Sequence, residues 1–130
     1  MRIDKVLCSL ALLALTGASY PNPATVDPDN DFDCATLFQF FHKMAEAKQA
    51  PADLLEEVLI MNAWFGAKWD HEHPGEEAKQ LDHYLAMVKA VGDDPKAYKD
   101  TLNACSTRAN ADPAFSVFVT ELRKSAPPKP

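Results

Sequence analysis

Glycine is scarce in this 130-residue chain, with only four in all. None stands in a phosphate-cradling run of the P-loop or dinucleotide type, so those nucleotide chemistries have no loop to work with. Serines are few and none lies in GxSxG, which removes the nucleophile-elbow hydrolases. The three cysteines form no CxxC or CxxCH, which argues against a zinc ribbon, a thioredoxin-like centre or a haem attachment. HExxH is absent, as is the ExxH pairing that di-metal bundles use. Cationic side chains are in deficit, with 13 Lys and Arg against 19 Asp and Glu, which disfavours non-specific binding to nucleic acid or anionic lipid. No stretch reads as a convincing strand, and no internal repeat is evident. The expectation is a protein that is not an enzyme and needs no cofactor.

The first 18 residues differ from the rest. Arg2 and Lys5 precede the apolar run Val6–Leu15, which is too short to cross a bilayer, and Thr16-Gly17-Ala18 offers small residues before Ser19. The expectation is a secretory signal peptide over 1–18, hence a periplasmic or secreted protein with no stable membrane anchor after cleavage. Losing Arg2, Lys5 and Asp4 leaves 11 basic and 18 acidic side chains, a net charge of −7. Cys8 also leaves. An exported chain with only Cys34 and Cys105 is expected to pair them, the alternative being two buried thiols. Closing so long a loop stabilises a fold by roughly 4 kcal/mol in the chain-entropy model.

Residues 19–31, with Pro21, Pro23 and Pro28, read as an extended leader. The helical domain is expected over 32–124. Helix one, Cys34–Lys48, is capped by Asp31 or Asp33 and turns Leu37, Phe38, Phe41, Met44 and Ala45 inward, with Phe40 off that stripe. The central helix, Ala52–Trp69, starts after Pro51 and carries Leu54, Val58, Met61, Phe65 and Trp69 on one stripe. A third helix, Glu76–Val91, follows the connector Asp70–Glu77 and presents Leu81, Tyr84, Leu85 and Val88, with Gly92 as its C-terminal stop. Asp94-Pro95 and Asp112-Pro113 open a fourth and a fifth helix, each with an aspartate cap. Tyr98, Leu102, Cys105 and Ala109 line the fourth, and Phe115, Phe118, Val119 and Leu122 the fifth. Residues 125–130, SAPPKP, read as a disordered tail. The fold class is therefore all-α, a small bundle of about five helices with one disulfide.

Two sets of residues are candidates for work. His71, His73, Glu76 and His83, in an acidic stretch, have the ligand chemistry for zinc, copper or nickel, though a solvated turn is the simpler reading. Ile60 and Trp64, with Ala67, occupy the second face of the central helix. They either form an exposed patch for a protein partner or are covered by helices one and three, and burial is the plainer reading.

The plan resembles the HdeA-type acid-stress chaperones of the bacterial periplasm. The matching residues are Asp33-Cys34 with Leu37 and Phe38, then Pro95 leading a helix that carries Ala104-Cys105, then Phe115 with Val119 in the last helix. Residues 51–92 show no match. The resemblance implies an exported, all-helical, singly bridged protein that loosens or dissociates at low pH and exposes apolar surface to clients, with no catalytic residues. The functional expectation is a small exported binding or stress-related protein. An acid-activated chaperone, a metal carrier using His71 and His73, and a carrier of an apolar small ligand in the bundle interior are the alternatives.

Overall fold

The computed structural model describes residues 26–126; the expected signal segment, residues 19–25 of the leader and residues 127–130 lie outside them. Among the described residues there are five α-helices and no strand: α1 (Asp31–Ala47), α2 (Ala52–Glu72), α3 (Leu81–Asp93), α4 (Lys99–Ala111) and α5 (Pro113–Ser125). Short 3₁₀ turns, Glu77–Gln80 and Pro95–Tyr98, lead into α3 and α4. No helix of the described residues is long and apolar enough to cross a membrane.

The helix ends show which local signals act. Asn30 caps α1, its side chain accepting from Asp33 N–H at 3.1 Å, so neither Asp31 nor Asp33 is the cap. Asp112 does cap α5, accepting from Ala114 N–H at 2.9 Å, with Pro113 in the first turn. Asp94 has the same Asp-Pro sequence but makes no side-chain cap, and its proline opens a 3₁₀ turn instead. α2 runs three residues past Trp69, so the start of the expected connector, Asp70–Glu72, is helical. Gly92 lies inside α3 rather than ending it, and its Cα side faces the Phe40 ring, which a built Cβ would meet at 3.8 Å. Between α1 and α2, Gln49 takes φ 54°, while Gln49 N–H bonds Glu46 O and Ala50 N–H bonds Ala45 O. That is a Schellman closure with glutamine where glycine is usual.

α1 and α2 form the heart of the molecule. Leu37, Phe38 and Phe41 of α1 meet Val58, Met61 and Phe65 of α2, all at most 1% exposed, with Phe38 and Phe65 rings stacked at 6.1 Å. Asn62 Nδ2 donates to Ala35 O at 2.8 Å and fixes their register. Tyr98 of the preceding 3₁₀ turn with Leu102, Cys105 and Ala109 of α4 close the core, as their spacing predicts. Cys34 and Cys105 are bonded, with Cα atoms 5.8 Å apart, joining the first turn of α1 to the middle of α4. The second face of α2 is covered by α5: Trp64 meets Phe115 at 5.4 Å and Phe118 at 5.3 Å. Leu122, the last residue of the expected α5 stripe, is exposed.

α3 departs most from its sequence pattern. It buries Met87 and Val91, while Leu81 and Leu85 are 57% and 54% exposed. At about 100° per residue, its inward direction is rotated roughly a quarter turn from the Leu81–Tyr84–Leu85–Val88 stripe.

Candidate functional site: the groove between α1 and α3

The rotation of α3 leaves Tyr84 and Val88 half-buried at the edge of the core, opposite a second face of α1. Between them lies a groove of about 330 Å³, walled by Phe40, Met44 and Ala47 with Tyr84 and Val88 and carrying one cation, Lys43, at its rim. Leu81 and Leu85 lie one helical step outside it. A second hollow of about 180 Å³ shares Thr36, Gln39 and Tyr84 with the first and extends to Phe32, Trp69, Asp70 and Glu77. One cleft is thus apolar at one end and aromatic and carboxylate-lined at the other. Phe40, which lies off the main α1 stripe in sequence, forms part of this wall.

The helices flanking the cleft are held by buried polar ties. His83 Nε2 of α3 lies 2.7 Å from Asp33 Oδ1 of α1, whose side chain is only 4% exposed. The other Asp33 oxygen accepts from Asp27 N–H at 2.9 Å. At the same end, Arg108 of α4 donates to Asp31 at 2.7 Å and to Pro28 O at 2.8 Å, with its guanidinium 4.8 Å from the Phe65 ring centre. Lys68 approaches Asp31 at 3.8 Å and Asp112 at 4.0 Å. These contacts fasten the end of the leader: Val26 is buried, and Pro28 and Asp31 are held by α4. Charge pairs beside a disulfide, on helices far apart in sequence, have no local sequence signal.

Each residue proposed from the sequence now has a place. The four candidate metal ligands are not gathered. His71 is exposed, His73 stacks on Trp69 at 4.9 Å, Glu76 pairs with Lys79 at 3.5 Å, and His83 is engaged by Asp33. Among the described residues, no group of three or more His, Cys, Asp or Glu side chains is placed to hold a metal ion. The physical reason is that α2 extends through His71 and carries it away from His83, which turns toward the start of α1. Ile60 and Trp64 are 3% and 7% exposed and are core residues, so they present no partner patch; α5, not α3, covers Trp64. The cost of that burial is visible in the indole N–H, which has no hydrogen-bond partner. The bundle interior is filled by these side chains, and the cleft lies at the surface. Sequence reasoning missed the groove because it assigned Leu81, Tyr84, Leu85 and Val88 to the core. The signal that pointed to it was Phe40, apolar yet outside the inward stripe of its helix. Comparison with protein-family models, with curated proteins and with solved structures returns no match.

Proposed function

We propose that this is a small exported helical protein that acts by binding rather than by catalysis. The observation that carries the reading is the uncovered apolar face of α3, Leu81 and Leu85 beside the groove at Phe40, Met44 and Val88. Exposed leucines adjoining a concave apolar surface are the usual mark of a contact surface rather than of a core. The Cys34–Cys105 bond supports export, because such bonds persist in oxidising compartments. Native mass spectrometry of the protein recovered from periplasm or medium tests both halves of the reading. The expected species lacks residues 1–18, has lost the two hydrogens of a bridge, and carries a partner or ligand in part of the population. An uncleaved chain with two free thiols would remove the export reading.

A second reading, an acid-activated chaperone of the HdeA type, is supported by the placement of Asp31 and Asp33. Both are buried carboxylates that tie α1 to other helices, Asp31 to Arg108 and Asp33 to His83. In strong acid the carboxylates protonate, the ties weaken, and the side-chain charge after loss of residues 1–18 swings from −7 toward about +15, counting 11 basic residues and four histidines. Client aggregation followed at about pH 3 and pH 7 separates the readings. Protection confined to acid supports the chaperone; no protection at either pH leaves the binding protein alone.

A further inference from the structure

Resting on the binding reading above, we infer that the α1–α3 cleft docks a basic amphipathic segment of a protein partner, its apolar side chains on Leu81, Leu85 and the groove and its cationic side chains toward Asp70 and Glu77. Leu81, Tyr84, Leu85 and Val88 recur at one helical spacing, and the core uses none of them fully, since Met87 and Val91 take the inward direction. The groove they border, about 330 Å³, falls in the roughly 300–1,000 Å³ range of clefts that accept ligand groups. Two exposed leucines outside the groove extend the surface beyond what a small molecule would cover. A helix laying its apolar anchors into such a groove is a common recognition mode.

Charge around the cleft selects the partner. Asp70 and Glu77 are exposed at the far end of the cleft and make no ion pair among the described residues, and Asp82 is exposed next to Leu81. Phe32 and Trp69 line the same hollow as the two carboxylates, which keeps the surroundings of a bound cation partly apolar. Lys43, at the opposite end, orients the occupant with its basic side chains away from the apolar end. A second copy of this chain is the poorer occupant, because two proteins of net charge near −7 would meet acidic rim to acidic rim.

The test uses fluorescence anisotropy with the disulfide-bonded protein and two labelled helical peptides, one of leucines and lysines and one with glutamates replacing the lysines. The lysine peptide is expected to saturate, with the glutamate peptide about ten-fold weaker or worse. The Leu81→Ser/Leu85→Ser variant keeps the net charge and removes exposed side chains only, so it should melt like the parent yet bind the lysine peptide about ten-fold more weakly. Asp70→Asn/Glu77→Gln should weaken binding about five-fold and lessen its salt dependence. Asp53→Asn/Asp100→Asn, which removes the same charge from exposed sites elsewhere, should change it by less than about two-fold. Unaltered binding by the serine variant, equal weakening by the two charge variants, or no saturable binding would each overturn the inference. So would self-association in sedimentation that the serine variant abolishes, which would assign the face to a second copy. Peptide binding that ignores every substitution would remove the groove while leaving a binding protein; a chain that is never exported would remove the export reading while leaving the groove.

Discussion

Two single residues carry consequences that their burial alone would not show. Gln49 closes α1 in a left-handed conformation that costs a residue with a Cβ about 1 kcal/mol. Gln49→Gly is therefore expected to raise unfolding stability by about 0.5–1 kcal/mol, read from the urea midpoint at unchanged slope. Tyr98 is 3% exposed, and burial first, then the carboxylates of Asp94 and Asp93, raise its phenol above the ordinary value of 10.0. The folded chain thus holds that proton at pH values where the unfolded chain has released it. Stability from this source is complete below about pH 10 and falls as pH rises through the folded value. Tyr98→Phe should flatten the alkaline loss, seen as a smaller drop in melting temperature between pH 9 and 11 than in the parent. A parallel drop in both proteins would assign the alkaline loss to other groups. Neither residue was readable in this role from the sequence: a glutamine gives no hint of positive φ, and Tyr98 read only as one more member of an apolar stripe.

Among the elements, α3 is one in which few apolar residues are fully buried and a polar tie matters beside them. Its inward apolar residues are Met87 and Val91, so the Asp33–His83 contact is a substantial part of what fixes it to α1. His83→Ala is expected to cost about 1–3 kcal/mol, because it leaves a buried carboxylate with one donor in place of two partners. A double-mutant cycle with Asp33→Asn should return a coupling of at least about 0.5 kcal/mol. Additive effects would reduce His83 to a surface residue. The element scale is also where sequence reading succeeded and failed for one physical reason. Cys34, Leu37, Phe38 and Phe41, or Tyr98, Leu102, Cys105 and Ala109, form a single apolar stripe, and a single stripe has one way to be buried. α3 has two overlapping apolar sets a quarter turn apart, and only its neighbours decide between them. Asp94-Pro95 and Asp112-Pro113 make the same point for helix starts: identical dipeptides, one capped and one not, because the chain enters the two helices from different directions. The candidate metal ligands failed likewise, since four close sequence positions became separated once α2 continued through the expected connector.

For the whole molecule, the disulfide is the dominant long-range constraint. Cys34 and Cys105 are 71 residues apart, so reduction or Cys34→Ser/Cys105→Ser replacement should lower stability by about 3–4 kcal/mol, measured by urea titration with and without reductant. A loss under about 1 kcal/mol would show that the cross-link does little to restrict the unfolded chain. The all-α class, the five helices and this pairing were legible because each depends on local periodicity or on counting cysteines. The groove was not, because it depends on which of two faces a helix turns toward its neighbours.

The bond also divides the chain topologically. α1, α2, α3 and most of α4 lie within or across a closed covalent ring, and both walls of the groove belong to it. α5 hangs outside, attached through Asp112 alone in the backbone and through Phe115 and Phe118 in packing. A backbone cut at the Pro74-Gly75 turn would leave two pieces still riveted together, with the groove's walls on different pieces but linked. A cut at Asp112 would release α5 as a free peptide and bare the indole of Trp64. The same molecule is therefore tolerant of injury at the groove and vulnerable at α5, which among the described helices has no share in the ring.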